Sequence, residues 1–120
     1  MSVAGRGKRQ PPEVPAAFRP VARAFEDRAG VTLGPGWGAG NVVLKRGAKI
    51  FVMSIGQDFV AKLPRERVDE LVASGAGVRF DPRRDGRVMK EWVVVPPARA
   101  RQWPKLADEA FAFASAAARR

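Results

Sequence analysis

Two glycine turns inside one apolar run constrain this chain most. Residues 41–64 read NVVLKRGAKIFVMSIGQDFVAKLP, cut once at Arg46-Gly47-Ala48 and again at Gly56-Gln57. Short turns bearing glycine between β-branched and aromatic runs join antiparallel strands. The segment predicts three strands, Asn41 to Lys45, Lys49 to Ile55 and Asp58 to Leu63, laid down as a meander. Lys45, Arg46 and Lys49 meet at the first turn and make a small basic tip.

Helices flank this meander. Phe18, Val21, Ala22 and Phe25 recur at i, i+3, i+4 and i+7, one helical face within Glu13 to Ala29. Pro20 sits inside that pattern, where it either kinks the helix or marks its first turn. Gly30 is a natural stop. A second helix runs from Pro64 to Ser74, with Val68, Leu71 and Val72 as its stripe and Gly75 after it. Its Arg65, Glu66, Arg67, Asp69 and Glu70 read as a solvated face with local ion pairs. A third helix starts near Trp103-Pro104 and carries Leu106, Ala107, Ala110, Phe111, Phe113 and Ala114. Its alanine-rich end suits close packing in the core, with a dimer contact as the alternative.

Between the last two helices stands RFDPRRDGRVMKEWVVVPP, from Arg79 to Pro97. Gly77 to Asp81 and Val88 to Val95 read as strands, linked by a turn in which Pro82 and Asp85-Gly86 supply the turn chemistry. Trp92 to Val95 is too apolar for an exposed edge. The fold class is therefore α+β, an antiparallel sheet in the order helix, three strands, helix, two strands, helix. Residues 1–12 read as a disordered basic tail, and 13–120 as a single domain. GPGWGAG, residues 34–40, precedes strand-like sequence and fits no phosphate-binding fingerprint, so it reads as a loop or an irregular edge strand.

Composition narrows the chemistry. The 120 residues include no cysteine, histidine or tyrosine. Disulfides, thiolate zinc sites, thiol nucleophiles and histidine-based triads are thereby excluded. The hydroxyl residues are Ser2, Ser54, Ser74, Ser115 and Thr32, and none lies in a catalytic pattern. No acidic residues recur at metal-ligand spacing. The expectation is a protein without catalytic residues, metal or cofactor. No apolar run approaches the ~20 residues of a membrane span, and the basic N-terminus lacks the apolar core of a secretory signal. The expected location is cytoplasmic.

Charge gives the remaining lead. Twenty-two basic and 12 acidic residues leave a formal net charge of +10. Such a balance raises affinity for nucleic acid and anionic surfaces. The candidate contacts are Arg79, Arg83, Arg84, Arg87 and Lys90, joined by Lys45, Arg46 and Lys49 if the hairpin tips align. Asp81 and Asp85 interrupt the cluster, and no helix-turn-helix, zinc or RNA-stacking signature is present.

The strand ending in Lys62-Leu63-Pro64, the Arg67-Val68-Asp69-Glu70-Leu71 helix, the Phe80-Asp81-Pro82 turn and the Met89-Lys90-Glu91-Trp92 strand together carry a resemblance. So does the late helix with Trp103, Leu106, Ala107, Glu109 and Ala110. In these features the chain resembles the TfoX (Sxy) N-terminal domain family and is similar to the related MmcQ/YjbR-like proteins. The likeness covers about residues 14 to 115 and is strongest from Lys62 to Val95. It implies a small α+β domain of the order given above and no known catalytic activity. The competence regulator that names the family activates transcription, and YjbR-like members are often labelled DNA-binding. The GPGWGAG loop departs from the methionine-phenylalanine-glycine stretch usual in the family.

Two functions stay open. The first is a protein-binding or homodimerising module with a regulatory role, its arginines serving solubility. The second is nonspecific nucleic-acid binding through the basic hairpins. High salt separates them, because phosphate-driven affinity falls steeply with salt.

Overall fold

A computed structural model describes residues 14–36, 40–81 and 89–118. The expected tail, residues 37–39 and the turn bearing Arg83, Arg84 and Arg87 lie outside the described residues. A 3-10 turn, Ala16–Phe18, leads into α1, Arg19–Phe25. Four strands follow: β1 Val31–Pro35, β2 Val42–Arg46, β3 Lys49–Ile55 and β4 Asp58–Lys62. Then come α2 Arg65–Ala73, β5 Val78–Phe80, β6 Met89–Val95, a second 3-10 turn Pro97–Gln102, and α3 Trp103–Ala118.

The fold is α+β, and its order is helix, four strands, helix, two strands, helix. The expected order is corrected by one strand. VTLGP offers little alternation and ends in Gly34 and Pro35, which read as breakers. It lies at a sheet edge, where a missing N–H costs no ladder bond. The first helix is also shorter than its apolar pattern. Pro20 stands in its first turn, the second of the two places that pattern allows it. Gly47 and Gly56 adopt φ of +62° and +61°, which accounts for the two tight turns.

One six-stranded antiparallel sheet runs in the order β1-β2-β3-β4-β6-β5. β6 is thus an interior strand, as its Trp-Val-Val-Val run requires. Gly77 enters β5 close against β6. A Cβ there would lie 2.6 Å from the Val94 carbonyl oxygen and 2.9 Å from a Val93 methyl, so only glycine fits.

The helices pack on one sheet face. Phe18, Val21 and Phe25, Val68 and Leu71, and Trp103, Leu106, Ala107 and Ala110 bury against Val42, Leu44, Phe51, Val52, Phe59, Ala61, Val93 and Val95. Of the alanine-rich end, Ala114 joins this core and Ala116 is exposed. Burying each large side chain contributes about 2 kcal/mol, so this layer holds the domain together. Trp103 stacks on Phe59 with centroids 5.3 Å apart, and Phe25, Phe51 and Phe111 form a triangle of 5.5 to 5.8 Å. A bulge lets Phe51 and Val52 both join this layer: Leu44 faces Val52, and the next residue, Lys45, faces Ile50.

Candidate functional site

Strand register decides which basic residues meet. Arg46 faces Lys49 across the β2–β3 turn, and Ile55 faces Asp58 at the opposite end of the sheet. β4 therefore finishes, at Lys62, near the β2–β3 turn. Lys62 faces Trp92, so β6 begins at that same end, and Phe80 faces Met89 there. The described end of β6 thus lies at the same end of the sheet as the β2–β3 turn. This end of the sheet gathers Lys45, Arg46, Lys49, Lys62 and Lys90 from four strands.

Among the described residues, none of these five cations is held in an ion pair. The ion pairs there join Arg28 to Asp108, Arg67 to Glu70 and Glu109, and Arg79 to Asp69. Lys49 and Lys90 are exposed, and Lys45, Arg46 and Lys62 half-buried. Glu91, and Asp81 just beyond β5, are the carboxylates on or beside these strand ends. Arg46 opposite Lys49 is a like-charged cross-strand pair, an arrangement that costs stability. An anion supplied from outside relieves that repulsion.

The other candidates separate. Arg79 faces Val93 and reaches across to Asp69 on α2, on the helix side, away from the lysines. Arg83, Arg84 and Arg87 lie outside the described residues. Lys62 is not among the candidates that the sequence offers. The signal for it lies in the expected meander, whose third strand returns to the β2–β3 turn and so carries Lys62 to it.

The sheet's second face carries a cluster of strand residues alone: Val43, Met53 and Val60 are buried, and Ile50, Ile55, Phe80, Trp92 and Val94 are half-buried around them. Register makes a single row across all six strands: Gly34, Val43, Met53, Val60, Val94 and Val78. Val78, on edge strand β5, is 61% exposed. Lys45 and Lys62 alternate with Val43 and Val60, so both stand on this same face at the lysine end.

On the helix side, a cleft of about 420 Å³ opens between α2, the Pro97–Gln102 turn and α3. Arg67, Arg99, Gln102 and Lys105 rim it over Leu71, Ala76 and Leu106. Arg67 is already engaged there. Its Nε donates to Glu109 at 2.9 Å and its Nη1 to Glu70 at 3.0 Å. Chiefly the bond to Glu109 raises the guanidinium pKa above its ordinary value, with Glu70 adding to the effect. The Arg67 charge is thus used internally.

Among the described residues no helix is long and apolar enough to cross a membrane, and no group of three acidic residues converges as metal ligands would. Compared with known proteins, the chain matches no family model, no curated protein and no solved structure.

Proposed function

We propose that the chain is a binding module, not an enzyme, of the TfoX N-terminal-domain and YjbR-like kind, and that it engages nucleic acid through the lysine end of its sheet. The observation that carries the reading is the strand register that brings the lysine-bearing ends of β2, β3, β4 and β6 to one end of the sheet. It joins five cations from β2, β3, β4 and β6 that form no ion pair among the described residues. Lysines spread over four strand ends suit a phosphate backbone, with affinity and little base specificity. A regulatory role in the cytoplasm accords with such a module.

The test compares two variants of equal charge loss. One replaces Lys45, Lys49, Lys62 and Lys90 by alanine. The other replaces Arg19, Arg23, Arg101 and Lys105, which are exposed and lie on helices or the second 3-10 turn. The first is expected to lose most of its DNA and RNA affinity and the second to keep it. Equal losses would reduce the effect to net charge and sink the reading.

The second reading, self-association, draws on Val78, which stands exposed on the open edge of a three-residue strand. Sedimentation that gives a dimer persisting at high salt, and lost in Val78→Lys, is its signature.

A further inference from the structure

The helix-free face says which form of nucleic acid the lysine end suits. Helix-based duplex readers insert a helix into the major groove. Here the buried residues of all three helices pack on the opposite face of the sheet, so none offers itself beside the lysines. What stands beside them is an apolar sheet face with an indole in it. Trp92 is the cross-strand partner of Lys62 and two residues from Lys90 on its own strand, and Lys45 stands three strands away on the same face. Trp92 is half-buried, one side chain among the apolar strand residues of this face, whereas Trp103 is 1% exposed inside the core.

An aromatic ring set among lysines on an apolar sheet face is the arrangement that holds unpaired bases. Phosphates follow the cations, and a base stacks on the ring whatever its identity, because every base has a π-face. A duplex keeps its bases stacked on each other and offers none to the indole. Building on the lysine-end reading, we infer that the ligand is single-stranded nucleic acid and that Trp92 is the stacking platform for one of its bases.

The experiment uses the full chain carrying Trp37→Phe, which leaves Trp92 and the core Trp103 as its tryptophans. Three probes of matched phosphate number are titrated: a short oligothymidylate, a duplex and inorganic polyphosphate. The single strand is expected to bind tightest and to quench the exposed component of the emission. Polyphosphate is expected to displace it without quenching. Trp92→Leu should weaken single-strand binding about tenfold and leave polyphosphate binding unchanged. Trp92→Phe should restore most of the loss, which separates stacking from a structural role. Equal affinity for all three probes with no quenching would overturn the stacking inference while leaving the lysine-end reading standing. Absence of binding to any probe would overturn both.

Discussion

Trp103 lies on Phe59 with ring planes 16° apart, and its indole N–H is buried with no hydrogen-bond partner among the described residues. The ring is therefore held by contact and stacking, at the cost of one unsatisfied donor. Trp103→Ala is expected to destabilise the fold by about 4 kcal/mol, as cavity-forming losses of large aromatics do. Trp103→Phe should cost far less, because it keeps part of the stack and removes the stranded donor. Urea unfolding of both variants gives the comparison. Equal losses would mean that the indole N–H is not a liability.

Gly77→Ala should destabilise despite being the mildest of changes. Its Cβ would meet a backbone oxygen on β6, which cannot swing away. A loss of about 2 kcal/mol is expected, read as a lowered urea midpoint with an unchanged slope. Gly40→Ala serves as the control for positive φ in open space, and its loss should be smaller.

Arg79→Ala should leave nucleic-acid affinity unchanged and cost at most about 1 kcal/mol of stability, since it removes a partly exposed ion pair with Asp69. A binding loss comparable to that of the lysine variants would mean that Arg79 leaves Asp69 to contact the ligand.

The Arg67–Glu109 pair joins α2 to α3 with both side chains about a third exposed. A double-mutant cycle should give a coupling of about 1 kcal/mol that falls with added salt. The guanidinium pKa is raised in the folded state, so its contribution is complete at lower pH and fades only under strongly alkaline conditions. Between about pH 6 and 9 the arginine's contribution to the coupling should therefore be flat. A change with pH inside that window would assign it to another group.

Much of the fold is legible locally. Gly47 and Gly56 cut the meander where expected, Gly75 follows the second helix, and the Trp92–Val95 run belongs to an interior strand. What escapes local reading is set by pairing. β1 lacks alternation and is held as an edge by β2. Phe51 and Val52 share a face only because β2 and β3 slip past each other at Lys45, which no two-residue period reveals. The basic tip at Arg46 and Lys49 is visible in the sequence. Lys62 reaches it through the same local meander, whereas Lys90 joins it only because β4 pairs with β6 across an intervening helix and strand.

The most direct test of the lysine-end account is the salt dependence of single-strand binding. For the unaltered chain, log affinity should fall steeply and linearly with log salt concentration. In the variant with Lys45, Lys49, Lys62 and Lys90 changed to alanine, the slope should shallow by roughly 0.7 for each phosphate that is no longer neutralised. Parallel lines for the two proteins would contradict the account, because the phosphates would then be held elsewhere.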